Sequence, residues 1–166
     1  MPKNNKILSS ALCFFILLTA ACFIETKSPP VYQSSEEKVK VENRDEDIEK
    51  AKKAVENFHN LFNAGKTKEL FQLIDDKSQL KQDETFFLMR MDRIMSDLGK
   101  FQSATFTRAN VFQKKSTYEV RIEFISKFEK ENNRPPRYEL FFWEIYPGGD
   151  VKLLEYMNGI DNEPKY

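Results

Sequence analysis

The stretch Ser116-Thr117-Tyr118-Glu119-Val120-Arg121-Ile122-Glu123-Phe124-Ile125-Ser126-Lys127-Phe128-Glu129 decides the fold class. Tyr118, Val120, Ile122, Phe124 and Phe128 alternate with Glu119, Arg121, Glu123, Lys127 and Glu129, and only Ser126 breaks the apolar row. Residues two apart share a strand face, so this pattern predicts an antiparallel strand with one apolar face and one wet face. Such a strand needs neighbours at its edges and a cover over its apolar side.

Both are legible nearby. Upstream, Phe101 to Phe112 reads as a strand anchored by Phe106 and Phe112, and Lys114-Lys115 as the turn between the two. Downstream, Asn132-Asn133-Arg134-Pro135-Pro136 is a loop, and Arg137 to Tyr146 a third strand. That strand is apolar on both faces, with Tyr138, Leu140 and Phe142 on one and Phe141, Trp143 and Ile145 on the other, so it is covered on both sides or lines a pocket. Pro147-Gly148-Gly149-Asp150 is a hairpin signal, and Val151 to Met157 a fourth strand.

Before Gly99 the period is helical. Ile48, Ala51, Val55, Phe58 and Phe62 make one stripe over Asp45 to Asn63, with acids at the N-terminus and Gly65 as a C-cap. A short helix follows from Thr67 to Asp75, with Thr67 as N-cap. A third runs from Asp83 to Leu98 and buries Phe87, Met91, Ile94, Met95 and Leu98. The expected fold class is α+β: three N-terminal helices packed on a curved four-stranded antiparallel sheet.

The beginning of the chain carries a location signal. Lys3 and Lys6 precede an uncharged apolar run from Ile7 to Ala21, which is the layout of a secretory signal peptide. It ends in Leu18-Thr19-Ala20-Ala21-Cys22. Small residues before a cysteine point to cleavage ahead of Cys22 and lipidation of its thiol. Ordinary cleavage after a small-x-small site and an uncleaved anchor helix are the competing readings; all three export the domain. Phe23 in place of aspartate omits a common inner-membrane retention signal, which points to the outer membrane where two membranes exist. Residues 22–46 are rich in Ser, Glu and Lys and contain Pro29-Pro30, so the lipidated cysteine continues into a flexible tether. Residues 47–158 form the expected globular domain and 159–166 a C-terminal tail.

Composition bounds the chemistry. The chain has 166 residues, one domain's worth, and 15 of them are Phe. Removing Lys3 and Lys6 with the leader leaves 24 bases against 26 acids, which argues against nucleic acid as a partner. Cys13 lies in the leader and Cys22 at the lipidation site, so the domain itself carries no thiol for disulfide, zinc or nucleophilic chemistry.

The order and sizes of these elements resemble the nuclear transport factor 2-like (cystatin-like) superfamily, and more narrowly small bacterial exported lipoproteins of unassigned function with that domain. The residues that carry the resemblance are the amphipathic Ala51–Phe62 helix, the Asn63-Ala64-Gly65 break, the Leu98-Gly99-Lys100-Phe101 junction and the long strands from Thr117 to Tyr156. It covers residues 47–158 and implies a cone-shaped domain. That superfamily holds enzymes, binding modules and assembly modules, so the resemblance alone does not select a function. The acid–base sets of its enzymes map onto no particular positions here.

His59, the only histidine, sits at the edge of the first helix's stripe. It is a weak catalytic candidate, and a half-packed boundary residue is the simpler reading. Asp75-Asp76 with Asp83-Glu84 fits no metal-loop spacing, so neither a metal nor a cofactor is expected. Phe141, Trp143 and Ile145, joined by Tyr156, would line an apolar pocket if the second face of strand three opens; otherwise they are core. The expected function is a noncatalytic module, anchored to the membrane through lipid on Cys22, that binds a small apolar ligand or an envelope protein. A scaffold that pairs as a homodimer is the alternative, and a small-pocket enzyme the third.

Overall fold

The computed structural model describes residues 38–131 and 135–159. Cys22, the leader, most of the tether and the tail beyond Gly159 lie outside the described residues. The elements are β1 (Val39–Val41), α1 (Asp45–Asn63), α2 (Thr67–Gln72), a 3-10 turn (Gln79–Lys81), α3 (Glu84–Leu98), β2 (Phe101–Gln113), β3 (Tyr118–Phe128), β4 (Arg137–Ile145) and β5 (Val151–Gly159). The strands form one antiparallel sheet in the order β1-β2-β3-β4-β5. No helix among the described residues is long and apolar enough to cross a membrane.

This corrects the expected architecture. The sheet has five strands rather than four, and a strand precedes the helices, so they are not the N-terminal layer of the domain. The missed strand lies in the stretch read as tether: Val39, Lys40 and Val41 pair with Gln113, Phe112 and Val111. Three residues show no periodicity, and their strand identity comes from the β2 edge they meet.

The helices end where their termini are satisfied. Past α1, Gly65 (φ 67°) donates its N–H to Phe62 O at 2.9 Å and Lys66 donates to Leu61 O at 2.9 Å, a Schellman closure. Asn63 then ties α1 to β2, accepting from Phe101 N at 2.8 Å and donating to Phe101 O at 2.9 Å. The second helix is shorter than expected and Thr67 is its first residue, not its cap. It stops because the next residues join β5: Leu153 N donates to Leu73 O and Asp75 N to Leu153 O, each at 2.8 Å. Asp83 caps α3 by accepting from Phe86 N at 2.8 Å.

The core lies between the helices and one sheet face. Ala51, Val55, Phe58 and Phe62 of α1 meet a face built from Val120, Ile122, Phe124, Phe128, Phe141, Trp143, Leu153 and Tyr156. Each buried Phe contributes roughly 1.5–3 kcal/mol. Phe106 departs from its expected role: it is 42% exposed, with the Lys52 ammonium 4.4 Å from its ring centroid.

Both long edges are managed. The β5 edge is covered by Leu73 and Asp75, and its carbonyls at Leu154 and Tyr156 accept from Ser78 Oγ and Arg90. In β2, irregularities between Phe101 and Ser103 and between Phe106 and Arg108 leave a short regular run. Bulges of this kind discourage pairing with another chain.

Candidate functional site

Three side-chain constellations stand out among the described residues. The first is enclosed. His59 comes from α1, Ser126 from β3, Glu139 from β4 and Tyr156 from β5, and all four side chains are buried. The His59 Nε2–H meets Glu139 Oε2 at 2.9 Å, the Tyr156 hydroxyl donates to Glu139 Oε1 at 2.6 Å, and Ser126 Oγ donates to Glu139 Oε2. Asn158 donates to the Tyr156 oxygen at 3.1 Å. The imidazole stacks on Phe101, with centroids 3.7 Å apart. Burial alone would push Glu139 up, but His59 and the two hydroxyl donors outweigh it and hold the carboxyl below its ordinary range. Burial and then the Glu139 charge push the Tyr156 phenol well up, so it stays a donor.

His59 therefore meets a buried acid and a tyrosine, the partners that an acid–base reading asks for. They meet inside the core, with His59 at 4% and Glu139 at 0% exposure, and neither lines either of the two clefts described below. Geometry of this kind fixes a helix to a sheet. The pattern of alternation could not show it, because Glu139 sits opposite Phe124 on the apolar side of the sheet.

The residues expected to line a pocket, Phe141, Trp143, Ile145 and Tyr156, are at most 2% exposed and pack in the core. Phe141 stacks on Trp143 with centroids 6.1 Å apart and tilts against Tyr156 at 4.9 Å. Trp143 lies between Val120 and Leu153 along the sheet. Its indole Nε1 is buried and meets no acceptor among the described residues. None of the four lines either of the two clefts described next.

The second constellation occupies the opposite face of the sheet. The pairs Phe112–Glu119, Asn110–Arg121, Arg108–Glu123, Arg121–Phe142 and Glu123–Leu140 put these residues side by side. The sequence predicts a wet face here, yet Glu119 is 2% and Glu123 4% exposed. Long cationic side chains cover them, which is how lysine and arginine stems shield a surface. Glu119 accepts from Lys38 Nζ at 2.8 Å, Arg121 Nε at 2.8 Å and Lys114 Nζ at 3.1 Å. Against the upward push of burial, these cations bring Glu119 down to about 2. Glu144 accepts from Lys114 at 2.5 Å and from the Thr117 hydroxyl. Burial would lower the Lys114 ammonium, but Glu144 and Glu119 raise it overall. Glu123 accepts from Arg108 Nε at 3.0 Å and Nη2 at 2.9 Å.

An open cleft of about 230 Å³ lies on this face, lined by Arg108, Asn110, Phe112, Arg121, Glu123 and Leu140. The Arg121 guanidinium stands 4.5 Å from the Phe112 ring centroid and 5.0 Å from that of Phe142. Cation–π contact with two rings fixes its plane.

The third constellation is a shallower cleft of about 490 Å³ beside the β4–β5 hairpin. Buried Asp75 accepts the Tyr146 hydroxyl at 2.6 Å and Lys77 N at 2.8 Å. Partial burial first, then Asp75, raises the Tyr146 phenol above its ordinary range. Asp75 and Asp83 are thus a turn acid and a helix cap. Among the described residues no cluster of histidine, cysteine and acids is arranged to hold a metal ion.

No protein-family model, curated protein or solved structure matches this chain.

Proposed function

We propose that this chain is an exported lipoprotein, anchored through lipid on Cys22, whose domain binds a ligand or partner without transforming it. The observation that carries the binding reading is the Arg121 cleft. It sets the Arg121 guanidinium against the Phe112 and Phe142 rings, with Phe112 and Leu140 among the residues that line the opening. Sites that recognise without reacting need such fixed polar groups set in apolar surface. The enclosure of His59 and Glu139 suits a structural pair rather than an acid–base pair. The homodimer alternative gains less, because the two irregularities in β2 interrupt its free edge.

Lys38, the first described residue, donates to Glu119 at 2.8 Å beside the cleft. Labelling a bacterial host with an alkynyl fatty acid tests the anchor: the full chain takes the label and fractionates with membrane, and Cys22→Ser does neither. Label on Cys22→Ser would overturn it. A photo-crosslinking residue in place of Asn110 tests the binding role in intact envelope. A discrete adduct that vanishes when Arg121 is replaced is expected, and adducts indifferent to Arg121 would refute it.

A further inference from the structure

We propose that Arg121 is the anchor of a carboxylate-binding site on the outer sheet face, selective for a terminal carboxylate carried on an apolar or aromatic body. This rests on the binding reading above and names the chemistry of its ligand.

Arg121 commits its Nε–H to Glu119 and is 24% exposed. Among the described residues no acceptor meets its two terminal amino groups. The rings of Phe112 and Phe142 hold the guanidinium plane, and Glu119 fixes its near edge. The remaining edge is a two-pronged donor, the geometry that a carboxylate fills with two parallel hydrogen bonds.

Local charge favours a monoanion. Glu119 and Glu144 are balanced by Lys38 and Lys114, and Glu123 by Arg108. With Arg121 also paired to Glu119, these four cations face three carboxylates, so the group carries one positive charge in excess. A dianionic phosphate exceeds that single charge, whereas a carboxylate matches it. Leu140 and Phe112 give the ligand's body an apolar wall. The cleft's volume of about 230 Å³ falls below the roughly 300–1,000 Å³ of pockets that bury whole small molecules, so it takes an end group. A protein C-terminus ending in an apolar residue and a free aryl or acyl acid both carry this chemistry.

The test uses the full chain in detergent solution and a fluorescent tetrapeptide ending in phenylalanine, as free acid and as amide. Anisotropy should show the free acid binding at least tenfold tighter than the amide. Arg121→Lys keeps the charge and loses the fork, and should weaken the acid at least tenfold without lowering the melting temperature. Inorganic phosphate should compete at least tenfold less well than 3-phenylpropionate. If phenylpropionate displaces the peptide at similar concentration, a free acid suffices; if it needs far more, the source is a polypeptide terminus. Should Arg121→Lys fail to fold, the Arg121 Nε–Hε NMR resonance of the unmodified protein decides, since it must shift with the acid and not with the amide. Equal binding of acid and amide, preference for phosphate, or no binding by any probe would overturn the assignment. An Arg121-dependent adduct in the envelope would survive that result, so the two failures are distinguishable.

Discussion

Glu139 Oε2 on β4 and His59 Nε2 on α1 lie 2.9 Å apart although 80 positions separate them in the chain. The pair joins the helix layer to the sheet at a point where neither side chain reaches water. A buried pair of this kind adds little over a well-packed apolar substitute, but losing one member strands the other.

His59→Ala should therefore cost about 3–5 kcal/mol, because Glu139 keeps its burial and loses its principal partner. Glu139→Gln should cost less, since it removes the buried charge and keeps one oxygen for the Tyr156 hydroxyl, with its amide nitrogen facing His59 and Ser126. Urea unfolding followed by circular dichroism checks the order. Equal losses would mean that the carboxylate is already neutral in the folded protein.

Acid should destabilise the fold in a defined window. Glu119 and Glu139 both have folded values below the reference of 4.5. For a lowered carboxyl, the contribution is complete above the unfolded value and disappears as pH falls through the folded one. The urea midpoint should thus fall as pH drops below about 4.5, and for Glu119 the loss should continue to about 2. Glu119→Gln should flatten part of that slope. A midpoint unchanged between pH 5 and pH 3 would contradict both carboxylate assignments.

Two glycines with positive φ should respond differently to alanine. Gly99 has φ 76° and ψ −157°, a region that essentially only glycine enters, and an added Cβ would lie 3.0 Å from Glu129 Cβ. Gly65 has φ 67° and nothing within 4 Å of that position. Gly99→Ala should cost about 2–3 kcal/mol and Gly65→Ala about 1 kcal/mol. Thermal melts of the two variants test the ranking.

Trp143→Phe should change stability by no more than about 1 kcal/mol, despite the loss of volume at a fully buried site. The substitution removes an indole N–H that has no acceptor among the described residues, which offsets part of the lost packing. A much larger loss would indicate that the indole has a partner in solution.

Much of the secondary structure was legible because periodicity reports burial on one side of an element. The α1 stripe and the alternation around Val120 placed their elements within a residue or two. What failed did so for physical reasons. Val39–Val41 is too short to show a period, and it is a strand only because β2 offers an edge. Glu119 and Glu123 read as solvent-facing because alternation distinguishes the two sides of a strand but cannot show what covers the polar side. Glu139 is a charged residue on the apolar side, and only the arrival of His59, Ser126 and Tyr156 makes that tolerable.

By itself, the sequence determined the three helices and four of the five described strands, most of their apolar faces, and that an export signal ending at Cys22 is expected. Those are local properties, set by spacing along the chain. The tertiary structure alone decided that the sheet has a fifth strand, that His59 is packed in the core, and that Arg121 meets both Phe112 and Phe142. These depend on which residues the sheet register sets side by side, and spacing along a single strand carries no record of its neighbours.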